Sequence, residues 1–425
     1  MRFKIPALIM GLLIMVWLLT WSEAYGEGFA IYELDARGTA LGGAAAARRP
    51  DAATVNHNPA QMTRLPGTQL IAGLTAIGTT GRADWSRGGN FGRSPIKDAI
   101  WPFPHFYLTH RINDKFSVGV SELSRFGQGI EYGRSWPGRY NLYDIVFLTA
   151  SLNPVLAYKV SDRLSVAAGV EFIYASMDMK KMIPVNDPGT GVHLFDIDSV
   201  VNNASDTAVG FNLAAHYAFT DKWAIGLQYR GPVTLRAKGD IDFSYSGPDD
   251  PFLQGLYQAV KPRSGTVRGK VTLPDSITVG LSYEPSEQIS FELGAIWTRW
   301  SLYRNLDMAL PGGTVAENPK SWKDTWRFMF GLEYEALYWL SLRTGYAWTE
   351  SPMTGRWADY SVPTDNRHSF SVGAGFHNDR WSLDVTYEYV YCQARNYQAN
   401  PASFALDGRG KITGQVVILS LGHKF

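Results

Sequence analysis

One pattern recurs along this chain and restricts its fold more than any other. A short polar turn is followed at once by a segment that opens on an aromatic or aliphatic residue. It appears as RINDKFSVG from Arg111, KVSDRLSVAAG from Lys159, AFTDKWAIG from Ala218, EPSEQISFELG from Glu284, EYEALYWLSLRTG from Glu333 and FHNDRWSLD from Phe376. Asn, Ser and Thr suit such turns because their side chains bond nearby backbone amides. The fifth instance, at Glu335-Ala336, is the weakest. Between these tight turns lie longer connections rich in Gly, Pro, Asn and Asp, near residues 81–103, 126–143, 179–206, 241–265, 303–321, 350–366 and 396–411. Tight turns on one side and long loops on the other is the layout of an outer-membrane barrel. With both chain ends on the short-turn side, the connections join about fourteen strands, an even number as bacterial barrels require.

The segments alternate with period two. Trp326, Phe328, Phe330 and Leu332 oppose Arg327, Met329, Gly331 and Glu333. Val170, Phe172 and Tyr174 oppose Glu171 and Ile173, and Leu383, Val385, Tyr387 and Tyr389 oppose Asp384, Thr386 and Glu388. A soluble sandwich alternates as well, so other features must decide. Trp223, Trp339 and Trp381 stand just after turns, where an interfacial aromatic girdle belongs. The second face carries charges and glycines, as a polar lumen would. The chain ends VVILSLGHKF, with Val417, Leu419, Leu421 and Phe425 in register, and a C-terminal aromatic on an alternating strand resembles the signal read by the barrel-assembly machinery. His423 stands where an aromatic is common.

Composition agrees. Aromatics are 13% and glycines number 42, which suits strands and tight turns. A net charge of +1 gives no basic footprint for nucleic acid. The single cysteine, Cys392, excludes a disulfide framework and all-cysteine metal sites, and no cofactor is expected. Arg2 and Lys4 precede an apolar run from Leu8 to Leu19 and the small-residue stretch Ser22 to Gly26. This is the order of a secretory signal, too short to span a membrane as a helix. Residues 1–26 are therefore read as a signal peptide cut near Ala24 or Gly26, residues 27–67 as an N-terminal hatch and residues 68–425 as the barrel.

The hatch shows no strand alternation. Gly38 to Ala47 is small and weakly helical, and Asn58-Pro59-Ala60 reads as a helix start, with Asn58 as N-cap and Pro59 in the first turn. Its alanines with Phe29, Ile31, Leu34, Leu41 and Val55 offer packing surface that a solvated tail does not need. A barrel of about fourteen strands is too wide for wall side chains alone to fill. The expected fold is thus all-β: a 14-stranded antiparallel transmembrane barrel with short hatch helices plugging the lumen, anchored by Asn58, Pro59 and Ala60.

Taken in order, these motifs resemble the FadL/TodX family of outer-membrane transporters for long-chain fatty acids and other hydrophobic compounds. The resemblance covers nearly the whole mature chain. It rests on Gly28-Phe29, Gly38 to Ala47, Asp51 to Thr54, Asn58-Pro59-Ala60, Phe126-Gly127, Gly138-Arg139-Tyr140 and Leu152 to Tyr158. Leu273 to Ser276, Trp300-Ser301, Trp322 to Trp326, Leu342 to Tyr346 and Ser351-Pro352 continue it. His57 departs where an aromatic is usual, and Pro363 to Arg367 keeps its motif only loosely. The resemblance implies a Gram-negative outer-membrane location, capture of an apolar ligand at the outer loops, a site beside the hatch N-terminus and sideways release where an early strand is kinked. Phe29 is the hatch residue it implies for ligand contact. Phe126-Gly127 is the expected kink, since glycine in a strand marks a bend.

For capture, Phe252 and Leu256 in DDPFLQGLYQAV have helical spacing beside a Met-rich loop, an adaptable apolar groove or else a loop-to-loop packing surface. For a carboxylate, the lumen offers Arg230, Arg327 and Arg343, with Glu171, Glu292, Glu333, Asp384 and Glu388 as competing partners. The expected partners are a hydrophobic small molecule, membrane lipid and lipopolysaccharide, and the expected state is a monomer. Histidines are scattered without a catalytic motif, so an enzyme is not expected. A general diffusion porin needs an open lumen, which the hatch opposes. A structural barrel remains a further alternative. Fatty acids, alkanes and aromatic hydrocarbons ask for the same apolar wall, so the substrate stays open.

Overall fold

The alternating turns close into a ring. The computed structural model describes residues 28–357, 359–400, 404 and 406–425, so the expected signal segment, 1–26, lies outside the described residues. The wall strands are β1 (Thr68–Arg87), β2 (Asn90–Arg111), β3 (Phe116–Leu123), β4 (Asp144–Lys159), β5 (Leu164–Asn186), β6 (His193–Ala218) and β7 (Trp223–Arg230), then β8 (Ser276–Tyr283), β9 (Ile289–Thr298), β10 (Thr325–Leu337), β11 (Leu340–Thr349), β12 (Thr364–His377), β13 (Trp381–Tyr397) and β14 (Asp407–Lys424). Each pairs antiparallel with the next. β14 returns to β1, from Lys424 opposite Gln69 to Asp407 opposite Ser86. Closure removes the sheet edges and lets backbone groups pair inside lipid.

Burial follows the alternation. On β10, Trp326, Phe328 and Phe330 are exposed, while Arg327, Met329 and Glu333 are buried. On β5, Val170, Phe172 and Tyr174 face out and Glu171 and Ile173 face in. The apolar face is the outer one and the charged face lines the lumen, the reverse of a soluble protein and the arrangement lipid requires.

The tight turns repeat one device. Asn113, Ser161, Thr220 and Asn378 each accept from the backbone N–H groups two and three residues on. The weak fifth turn is displaced. β10 continues past Glu335-Ala336 through a register shift to Leu337, and the turn falls at Tyr338-Trp339. Two expected loops are also corrected. Residues 81–103 form a paired extension of β1 and β2, which meet at Arg87 and Asn90 around Gly88-Gly89, with φ of 56° and 80°. Positive φ at both positions is what a two-residue hairpin turn demands. Most of 179–206 likewise belongs to β5 and β6, paired as far as Asn186 and His193. Turn-forming residues and scattered charges make these tips read as loops in the sequence.

Residues 28–67 fill the ring. Asp35 caps α1 (Ala36–Ala40), accepting from the Gly38 amide. Gly42 and Gly43, with φ of 66° and 90°, stop the helix before the alanines Ala44 to Ala47 expected to continue it. α2 (Thr54–His57) follows, then a 3₁₀ turn over Pro59–Arg64 capped by Asn58. The segment touches every wall strand, which places it in the lumen. Thr75 and Tyr107 donate to the carbonyls of Glu33 and Leu34, and Met62 and Val55 lie against Gly119. Val155 and Ala157 pack with Ala60, while Thr63 bonds Ser165. Asn58 donates to the carbonyl of Ala215, and Gln228 donates to that of Asn56. Ala46 abuts Gly280, and Arg37 pairs with Glu333. Gly42 and Ala40 abut Gly345 and Gly373. Thr386 donates to the Ala36 carbonyl, and the Ala36 amide to Ser420. At Gly226 and Gly345 a Cβ would overlap the hatch backbone, so only glycine permits this approach.

Candidate functional site

Among the described residues, the ladder of the wall breaks at β3. β3 pairs with β2 only as far as Phe106 opposite Glu122. The chain then turns inward, and the N-terminal segment bonds to it: Gly127 N donates to Phe29 O and Ile31 N to Arg125 O, both at 2.8 Å. A second piece, Gly127–Glu131, pairs with β4 alone. Among the described residues, β2 from Ile96 to His105 has β1 on one side and no ladder on the other. Two side chains of β2 lean across this gap. The Trp101 ring lies over Gly129, and Phe103 lies 3.5 Å from where a Gly127 Cβ would stand. Phe126 and Gly127 therefore sit at the break itself.

Phe29 stands just inside it. Its ring centroid is 4.9 Å from Trp300, 5.3 Å from Phe147 and Tyr303, 5.7 Å from Trp322 and 6.0 Å from Phe126. Most of these contacts are edge-on, the favourable geometry for aromatic quadrupoles. Apolar cavities open on either side. One runs from Phe29 along the gap past Ile77, Trp101, Phe103 and Gly129. The other runs toward the outer loops past Phe147, Met177, Leu235, Tyr303 and Met308. A third, more polar chamber begins at Ala30 and Ile31 and reaches Arg125, Arg230, Asn56 and Gln228.

The lumen arginines are all engaged. Arg343 donates to Glu333 at 2.7 Å and Asp384 at 2.5 Å, in a lattice with Arg37 and Arg48. Arg327 donates to Thr349 and to the Gly42 carbonyl, with its guanidinium 4.5 Å from the Tyr32 ring centroid. Arg230 donates to Asn56 at 2.6 and 2.8 Å and is the only one of the three that lines a cavity beside Phe29. Phe252 and Leu256 lie far out, on α3 (Pro251–Val260), whose N-cap is Asp250. Leu256 packs with Phe195, Ile197 and Tyr257, while Phe252 is 77% exposed. Neither lines the Phe29 cavities.

Asn58 is fully buried. Its amide donates to Ala46 O at 2.7 Å and to Ala215 O at 3.0 Å on β6, and its Oδ1 accepts from the Ala60 amide. Pro59 opens the 3₁₀ turn. His57, unexplained by its motif, bonds Asp35 at 2.5 Å and so ties α2 to the cap of α1. Burial pushes the Asp35 carboxyl up, but the His57 charge and hydrogen bond overcome it and hold it at about 2. Burial alone would lower His57, and Asp35 raises it above its ordinary value. Another brace is Glu292, whose carboxylate accepts from the amides of Ala46, Ala47 and Arg48.

Sequence reasoning did not single out Phe147, Tyr303, Trp101 or Arg125, and it used Trp300 and Trp322 only as motif members. The signal available was the aromatic density of the 300–326 connection, which a solvated loop does not require.

Among the described residues, a closed antiparallel ring with an apolar outer face, an N-terminal segment in the lumen, apolar cavities and a lateral gap define a membrane β-barrel. Comparison with known proteins specifies it further. A family model described as outer membrane protein transport protein (OMPP1/FadL/TodX) matches residues 17–425. The chain is 25% identical over 418 residues to the long-chain fatty acid transport protein of Salmonella typhi, covering 92% of this chain and 94% of that one. Its fold is similar to the crystal structure of a Pseudomonas aeruginosa FadL homologue, with a TM-score of 0.85, 21% identity and coverage of 94% and 100% of the two chains. The Pseudomonas putida toluene transporter TodX gives a TM-score of 0.74 at 16% identity, over 94% and 99%. The chain belongs to the OMPP1/FadL/TodX family of outer-membrane transport proteins. It is an outer-membrane protein and not an enzyme.

Proposed function

We propose that this protein takes up long-chain fatty acids, capturing them at the outer loops, binding them beside Phe29 and releasing them sideways through the gap at β3. The observation that carries this reading is the position of Phe29 between two apolar cavities, one reaching the loop side and one the broken wall. An apolar chain gains nothing from a water-filled pore. It gains about 0.8 kcal/mol for each methylene moved from water onto dry surface, so a stepwise apolar route is the chemistry it needs. α3, with Phe252 exposed and Leu256 half-buried, supplies the first such surface. Residues 27–67 act as the hatch, with Asn58, Pro59 and Ala60 as its anchor. Lipid and lipopolysaccharide surround a monomeric barrel, and the alternating β14 with the Phe425 that follows it is the segment offered to the assembly machinery.

Neutral hydrocarbons are the second reading. The two cavities flanking Phe29 are mostly apolar, and a toluene transporter shares the fold. Uptake of labelled oleate and labelled toluene by cells with and without the gene separates the two. Gene-dependent oleate uptake supports the first, toluene alone the second, and no change in either removes both.

A further inference from the structure

Where its ladder to β3 has ended, β2 is a strand edge open to lipid. Successive residues of an antiparallel strand aim their N–H and C=O groups to opposite sides. The Arg111 amide donates to Gly67 on the β1 side, and the Ile112 amide donates to Phe116 on the β3 side. The pairing with β1 runs unbroken from there to Thr79 opposite Ala99. Ile100, Pro102 and Pro104 therefore face the gap. Proline has no N–H, so three carbonyls look into the opening and only the Ile100 amide accompanies them. On the other lip Gly127 and Gly129 point away from β4, but Gly127 is bonded to Phe29 and the Trp101 ring lies over Gly129. The unmatched charged groups around the opening share one sign. Glu122, the last residue paired with β2, stands at its foot opposite Leu152, an exposed residue of the outer face. Asp98 is exposed on the free stretch of β2. Among the described residues neither carboxyl has an ion-pair partner. Lys97 is matched by Glu131 at 2.9 Å, and Arg125 turns inward to Glu171 at 2.6 Å.

We propose that this rim selects the form in which a ligand leaves the protein: neutral head groups carrying an O–H pass, and anionic ones are held back. An unpaired backbone carbonyl facing hydrocarbon is costly, and a hydroxyl or a protonated carboxyl satisfies it. An anion offers no donor and meets carbonyl dipoles and acidic side chains, a repulsive arrangement that discriminates as effectively as an attractive one. This rests on the uptake reading and goes beyond it. A fatty acid leaves as the neutral acid, its carboxylate having taken one proton from solvent, and an alcohol of equal chain length needs no such step.

The test compares two probes of one chain length, labelled oleyl alcohol and the permanently anionic labelled oleyl sulfonate. Binding is measured on the purified protein in lipid nanodiscs. Transfer is measured as gene-dependent label in the outer membrane of cells, with folding checked by the mobility of unheated samples on gels. Per bound probe, the wild type should transfer the alcohol faster by about tenfold or more, the scale of a charged hydrogen bond. Glu122→Lys should release the sulfonate and cut that preference severalfold. Pro102→Ala combined with Pro104→Ala, which returns two amides to the edge, should narrow it as well. Equal transfer of the two probes by the wild type, or an unchanged ratio in either folded variant, overturns the rim while leaving apolar uptake standing. Absence of gene-dependent transfer of both probes overturns the uptake reading together with it.

Discussion

Phe29 is one ring held by five others, and it stands between two apolar cavities. Phe29→Ala removes the partition between two cavities and a large contact face. Large-to-small changes in such cores cost about 3–5 kcal/mol, here taken up by the N-terminal segment rather than the barrel. Oleate affinity should fall about tenfold, measured on purified protein that keeps its folded gel mobility. The Asp35–His57 pair is a second lever at this scale. The His57 value is raised above its ordinary 6.5, so its contribution is complete below 6.5 and is lost as pH rises through the folded value. Asp35 is depressed from 3.8 to about 2, so its contribution is complete above 3.8 and is lost as pH falls through about 2. The hatch is thus braced best between 3.8 and 6.5. Amide protection factors of α1, corrected for intrinsic exchange, should decline on the alkaline side in the wild type, and His57→Gln should abolish that decline. His57 was opaque in the sequence because its partner lies twenty-two residues away across two helices, and no local spacing rule connects them.

At the scale of elements, the gap at β3 and the hatch braces divide the work. Gly127 and Gly129 let the chain leave the wall and let Trp101 and Phe103 lie across the opening. Gly127→Val places a side chain against Ile31, whose Cδ1 is 2.8 Å from the Cβ position. Uptake of labelled oleate should drop to near the level of cells lacking the gene while surface levels of the protein stay normal. The hatch side is held by charge. Glu292→Gln weakens three amide bonds and strips Arg48 of one partner, at a cost of about 3 kcal/mol for breaking a buried charged contact. Protease sensitivity of residues 44–51 in folded barrels should rise accordingly. The tight turns were legible because Asn, Ser and Thr act locally, within three residues. The paired tips of β5 and β6 were not, because the turn-forming run around Asn186 to Gly191 and the scattered charges of residues 178–198 read as one long loop.

Over the whole molecule, the strand number was legible because tight turns alternate with long connections, each joining one strand to the next. The lumen arginines show the limit of that reasoning. Facing inward was readable from Arg327 and Arg343, and so was the set of lumen acids that includes Asp384, but not that Arg343 pairs with Asp384 two strands round the ring. The Phe29 cage was hidden for the same reason, since Phe147 stands on β4 while Trp300 and Trp322 come from the connection between β9 and β10. A filled ring should also be electrically quiet: planar bilayers with the purified protein should show no large steady current, and a porin-sized conductance would sink the plugged transporter. The most direct test follows the ligand itself. Oleate carrying a photoreactive group near the end of its tail, irradiated during uptake, should label Trp101, Phe103 and the Gly127–Glu131 segment. Labels confined instead to the lower mouth around Arg64, His216 and Glu284 would contradict lateral release.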